Sequence, residues 1–163
     1  MQLAEFNAMS TAEAAAAVRP CADIDSWVGA IVAGRPYDDL DSLLDLADRQ
    51  ARSWGAAEVE AALADHPRIG ERHAGAGASA AMSSREQGGV SRDADVAARL
   101  AAGNAAYEEK FDRIYLVRAA GRDAEEILAL LEQRLDNDPE TELGVTAGQL
   151  REIAVLRLKG LFG

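Results

Sequence analysis

The sequence predicts an all-α protein, a single-domain compact helical bundle, on three observations. Apolar residues recur every three or four positions through most of the 163-residue chain, the spacing that builds one buried helix face. Helix start and stop signals punctuate those stripes at short intervals. Strand-like propensity gathers in one stretch, 114–119, with no second such run for it to pair with. The sequence holds no internal repeat, and its length suits one domain over residues 1–163 around one substantial core.

The elements follow in order. Ser10 and Glu13 form a Ser-x-x-Glu capping box that opens a short helix to about Val18, broken by Pro20 and Cys21. Asp25 or Ser26 caps the next, where Trp27, Val28, Ile31 and Val32 make a buried stripe and Gly34 with Pro36 stops it. Asp41 starts a third helix with Leu43, Leu44, Leu46 and Ala47 inward, and Ala56 to Asp65 makes a fourth with Val59, Ala62 and Leu63 on one face. Pro67 to Ala81 is glycine-rich and aperiodic, which predicts a loop holding His73. Ser83 or Ser84 caps a short helix through Gln87, ended by Gly88 and Gly89. A long helix from Asp93 to about Phe111 carries Val96, Leu100, Tyr107 and Phe111. Ile114 to Ala119 reads as an extended connector. Asp123 caps a helix in which Ile127, Leu131 and Leu135 recur, and Asp138-Pro139 starts the last, running to about Lys159.

Composition narrows the function. The formal net charge of -11 argues against nucleic acid as a partner, because phosphate binding needs a basic face. Only 5% of residues are aromatic, so aliphatic side chains must do most of the packing. No apolar run approaches the ~18–20 residues that cross a bilayer, so no membrane partner is expected. The first residues lack a signal-peptide pattern, and the single cysteine, Cys21, allows no intramolecular disulfide. These features together predict a cytoplasmic protein.

Two side chains stand out chemically. His66 precedes Pro67, and proline drives the residue before it to extended backbone, ending the fourth helix and aiming the imidazole. Imidazole exchanges protons near neutral pH. On the dipeptide alone, a helix-terminal residue with its stop signal explains His66 better than chemistry does. Arg157 falls on the inward stripe of the last helix, seven residues after Leu150 and four before Leu161. A guanidinium there needs a carboxylate such as Glu142 or Glu86, carbonyls, a ligand, or a route to the surface. The Ser83-Ser84-Arg85-Glu86-Gln87 block reads either as a capped surface turn or as a clamp for carbonyl and anionic oxygens. No histidine and cysteine cluster stands at metal-ligand spacing, and Gly75-Ala76-Gly77 lacks the strand and Lys-Ser/Thr of a phosphate loop, so neither a metal nor a nucleotide cofactor is expected.

Taken together the motifs resemble one family. His66-Pro67-Arg68-Ile69-Gly70 followed by Ser83-x-x-Glu86-Gln87 resembles the 2-oxo-4-hydroxy-4-carboxy-5-ureidoimidazoline (OHCU) decarboxylases of urate degradation. Phe6-Asn7, Asn104-x-x-Tyr107-x-x-Lys110-Phe111, Asn137-Asp138-x-x-Thr141-Glu142-Leu143 and Leu156-Arg157-Leu158 extend the resemblance over nearly the whole chain. It implies an all-helical, cofactor-free and generally dimeric carboxy-lyase that forms (S)-allantoin and carbon dioxide from a small-molecule substrate. His66 matches the proton donor; the chemistry gives Glu86 a catalytic part beside it, orienting His66 or the substrate hydroxyl. Pro67, Ser83, Ser84, Arg85, Glu86 and Gln87 match substrate-binding positions. Tyr115, Leu116, Val117, Arg118 and Ala119 match a stretch whose backbone lines the pocket, and Arg157 matches a substrate-contacting arginine. Tyr115-Leu116-Val117-Arg118 departs from the Phe-rich run of eukaryotic members, and the peroxisomal address of those members is missing, which points to a bacterial setting. Two other readings stay open: a non-enzymatic acidic helical module that binds a partner protein, and another lyase or hydrolase acting on a ureido compound.

Overall fold

The structure, a computed structural model, describes residues 1–64, 66, 68, 69 and 94–163. Among the described residues the chain forms eight helices and no strand, as the all-α expectation requires. They are α1 (Leu3–Ala8), α2 (Thr11–Val18), α3 (Asp25–Ala33), α4 (Leu40–Ala51), α5 (Ala56–Leu63), α6 (Ala94–Phe111), α7 (Ala124–Arg134) and α8 (Pro139–Phe162). The expected glycine-rich loop beyond Ile69, His73 and the short Ser83–Gln87 helix lie outside the described residues. No helix among the described residues is long and apolar enough to cross a membrane.

Local signals set most boundaries. Ser10 accepts from the Glu13 N–H at 3.2 Å while Glu13 reaches back to the Ser10 N–H at 2.9 Å, completing the capping box of α2. Asp123 caps α7 through the Glu126 N–H at 2.8 Å. Asp138 caps α8 through the Thr141 N–H at 2.7 Å, with Pro139 in the first turn.

Five boundaries differ from expectation, the simplest being α5, which ends at Leu63 with Ala64 at its C-cap and not at Asp65. Helix α1 was not anticipated: six residues are too few to hold a helix in isolation, and this one is held from outside. Phe6 is fully buried and meets Phe162 edge-on at 5.5 Å, while Arg35 donates to the Phe6 and Met9 carbonyls at 3.0 and 2.7 Å. The Asn7 amide pairs both ways with the Tyr37 backbone at 2.9 Å. Neither Asp25 nor Ser26 caps α3; Ile24 holds that position, and Asp25 instead takes Arg19 at 2.9 Å. Helix α4 begins at Leu40 because Asp39 caps it through the Ser42 N–H at 2.7 Å. Helix α8 continues past Lys159 to Phe162.

The buried side chains form two clusters. The first joins α1–α5 to the C-terminal part of α8, with Trp27, Ile31, Leu43 and Val59 against Leu150, Ile153, Ala154 and Leu158. Trp27 meets Trp54 edge-on at 5.9 Å and donates its indole N–H to the Ala47 carbonyl at 3.0 Å. The second lies between α6 and α7, where Leu100, Tyr107 and Phe111 face Ile127, Leu128 and Leu131. Helix α8 packs on α4 and α5, and α6 on α7. Residues 113–120 link α6 to α7 between two left-handed residues, Asp112 at φ 55° and Gly121 at φ 79°.

Candidate active site

Two segments cross from one cluster to the other, and the predicted site residues described here fall largely on them. Leu63, at the end of α5, belongs to the first cluster, and Ile69 to the second. His66 lies on the crossing between them, half-buried, its N–H closing a turn onto the Leu63 carbonyl at 3.1 Å. The far side of the crossing is tied to α6. Arg68 pairs with Glu108 at 2.7 Å, and the Asn104 amide donates to the Ile69 carbonyl at 3.1 Å.

The second crossing is the 113–120 connector. Leu116 packs into the first cluster, whereas Tyr115, Val117 and Ala119 pack into the second, the side alternation of an extended chain. All five residues from Tyr115 to Ala119 except Arg118 are buried. With no strand partner among the described residues, side chains hold this backbone. The Tyr115 hydroxyl donates to the Ile127 carbonyl at 2.9 Å. Arg134 donates from Nη1 to the Leu116 carbonyl at 2.7 Å, and the Arg118 N–H donates to Gln149 Oε1 at 2.9 Å. Gln149 is itself steadied by donating to Glu152 at 2.8 Å, and Glu152 also takes Arg118 Nε at 3.3 Å.

Arg134 is the centre of a buried polar network. Its guanidinium lies 4.8 Å from the Tyr115 ring centroid and 5.8 Å from that of Tyr107. Nε donates to Glu142 Oε1 at 2.6 Å, the same oxygen that accepts the Tyr107 hydroxyl at 2.6 Å. Asn137 donates to Glu142 Oε2 at 3.0 Å, and Thr146 takes Arg134 Nη2 at 3.2 Å. Glu142 is fully buried and Arg134 only 5% exposed, so these bonds replace the water both ions lost. Burial pushes the Tyr107 phenol up to about 12, and its hydrogen bond to Glu142 pushes the same way. Burial likewise takes Tyr115 to about 12, against the opposing pull of the Arg134 charge. A cavity of about 280 Å³ borders Val117, Arg122, Arg134, Asn137, Val145 and Gln149.

Arg157 occupies the inward face of α8, as its spacing predicted, and is 5% exposed. Nη1 donates to the Pro20 carbonyl at 3.3 Å. Glu142 is not its counter-ion. The two stand fifteen residues apart on one helix, roughly 22 Å along its axis, and Glu142 belongs to Arg134. Cys21 is a buried member of the first cluster, consistent with a packing role. Pro67, Ser83, Ser84, Arg85, Glu86 and Gln87 lie outside the described residues.

The sequence reading missed Arg134 and Gln149. The signal that singled out Arg157 was present for Arg134 too, since it follows Ile127 and Leu131 on the buried face of α7. Leu135, expected on that stripe, is only half-buried, and Arg134 takes the interior position.

The family model described as OHCU decarboxylase matches residues 7–159. A protein of Amia calva named 2-oxo-4-hydroxy-4-carboxy-5-ureidoimidazoline decarboxylase is 32% identical over 135 residues, 81% of this chain and 77% of its own length. One of Mus musculus with the same name is 31% identical over 137 residues, 82% of this chain and 77% of its own. A crystal structure of OHCU decarboxylase in the presence of (S)-allantoin superposes with a TM-score of 0.73, covering 88% of this chain and 95% of that one at 23% identity, and so shares the fold. Such matches favour an enzyme over a protein-binding module. The chain belongs to the OHCU decarboxylase family of carboxy-lyases.

Proposed function

We propose that this chain decarboxylates OHCU to (S)-allantoin and carbon dioxide in urate degradation, with His66 as proton donor and without a cofactor. The observation that carries the reading is the family match across residues 7–159, which spans both crossing segments and Arg157. The substrate places a carboxylate and a hydroxyl on C4, next to the C5=N imine. As the C4–carboxylate bond breaks, its electron pair forms a C4–C5 double bond, the imine nitrogen takes a proton, and carbon dioxide leaves. The resulting enol loses its hydroxyl proton to become the C4 carbonyl, and C5 takes a proton from one face. One proton is consumed overall, and the ring itself is the electron sink.

The protein's share is orientation, charge stabilisation and one-sided proton delivery. His66 delivers the proton to C5, and Glu86 orients His66 or the substrate hydroxyl. Arg157 and Gln87 bind ring and ureido oxygens, Pro67, Ser83, Ser84 and Arg85 complete the binding face, and the 115–119 backbone lines it. The active form is a homodimer in the cytoplasm.

The test supplies freshly generated OHCU and follows the circular dichroism of allantoin. Wild type is expected to give optically active product faster than buffer does, and His66→Ala to fall to the buffer rate. A racemic product formed no faster than in buffer, or an undiminished His66→Ala rate, overturns the assignment.

A further inference from the structure

We propose that Arg134 and Gln149 are positioning residues for this reaction, holding the 115–119 backbone so that the Val117 N–H and carbonyl and the Ala119 N–H face the substrate. The proposal rests on the function proposed above for the substrate and on the geometry of the connector for the rest. In an extended chain the N–H and C=O of one residue point to the same edge, and those of the next residue to the opposite edge. Arg134 grips the Leu116 carbonyl and Gln149 the Arg118 N–H, so both anchors lie on the edge of residues 116 and 118. The edge of residues 117 and 119 is thereby turned to the other side, where the Ala119 carbonyl closes a turn onto the Arg122 N–H at 3.1 Å.

Peptide groups bind a substrate best when they are already held in place, because ordering them on binding costs affinity. A strand within a sheet would be held by its ladder; this connector has none among the described residues, and two helices supply the hold instead. Arg134 is suited to that task because its own direction is over-determined. Glu142, Thr146 and the Tyr107 and Tyr115 rings fix the guanidinium before it reaches Leu116. Lysine could not make the same fork, since one ammonium cannot serve the carboxylate and the carbonyl in parallel planar bonds.

Three variants decide the matter. Gln149→Leu keeps the side chain's bulk beside the cavity and removes the acceptor for Arg118. Arg134→Lys keeps a charge for Glu142 and loses the bond to Leu116. Ile31→Ala, on α3 in the first cluster, serves as the stability control. Both positioning variants are expected to raise KM for OHCU about tenfold, the size of one hydrogen bond, with a smaller change in kcat. Amide hydrogen exchange through residues 116–119 should quicken in both. The control should lose at least as much thermal stability with KM and that exchange unchanged. KM tracking thermal stability across all three variants, or exchange unaltered in the positioning variants, overturns the proposal. If wild type does not turn over OHCU, the proposed function fails by itself, and exchange still decides whether Arg134 and Gln149 hold the segment.

Discussion

At the scale of single residues, Glu142 sets the largest energetic stake. Its carboxylate is fully buried and accepts from Tyr107, Arg134 and Asn137. Removing the compensating charge with Arg134→Met should therefore cost about 3–5 kcal/mol. Tyr107→Phe, which deletes one donor of four, Thr146 being the fourth at 3.5 Å, should cost nearer 1 kcal/mol. Urea unfolding of both variants checks the order, and equal losses would contradict it. The tyrosines add a pH dependence. Tyr107 and Tyr115 titrate near 12 when folded and near 10 when unfolded. Below pH 10 both states hold the protons and stability is complete. Between 10 and 12 the unfolded chain alone releases them, so stability falls by at most about 1.4 kcal/mol per pH unit for each tyrosine. Urea midpoints should drop from pH 9 to 11 in wild type and less steeply in Tyr107→Phe. Arg134 was within reach of sequence reading, because an arginine continuing the Ile127–Leu131 stripe is the same anomaly as Arg157. It was passed over because the adjacent Leu135 offers an apolar residue for the same turn, and periodicity alone does not rank two neighbouring positions.

At the scale of elements, what the sequence showed depends on how local the cause is. Ser10 with Glu13, Asp123, and Asp138 with Pro139 act within one turn, and the helices they open stand where those residues place them. Helix α1 depends on Phe162, Tyr37 and Arg35, all distant in sequence, so no window around Leu3–Ala8 contains its reason for existing. Two glycines separate helix propensity from packing. A Cβ at Gly103 would collide with the Leu131 side chain, which is fully buried between α6 and α7, whereas one at Gly144 would meet open space. Alanine gains about 1 kcal/mol over glycine inside a helix, and overpacking costs about 1–3 kcal/mol. Gly103→Ala should thus lower the thermal midpoint and Gly144→Ala raise it. Shifts of the same sign would refute the packing account.

At the scale of the whole molecule, α8 couples the two clusters. Its first turns carry Glu142 and Thr146 into the network beneath Tyr107 and Tyr115, and its later turns carry Leu150, Ile153, Ala154 and Leu158 into the first cluster. One continuous helix of 24 residues cannot melt at one end without loosening the other's packing. Trp27 and Trp54 both report on the first cluster, while far-ultraviolet circular dichroism reports on all helices. The two urea transitions should coincide, and separated midpoints would show the clusters unfolding independently. The candidate site was legible only in part for a related reason. His66 and Arg157 could be picked out by their chemistry and their place on a stripe. That Leu63 and Ile69, or Leu116 and Val117, belong to different clusters is a tertiary fact with no local signature.

The connector between α6 and α7 is gripped by its main chain, at the Leu116 carbonyl and the Arg118 N–H. Such a grip does not distinguish the side chain that hangs from each residue. Exchanging side chains along Tyr115-Leu116-Val117-Arg118 leaves both bonds available, and buried volume alone limits what can replace Leu116. Proline is the exception at the other anchor: it has no N–H to offer Gln149, so Arg118→Pro is the one exchange there that main-chain recognition forbids outright.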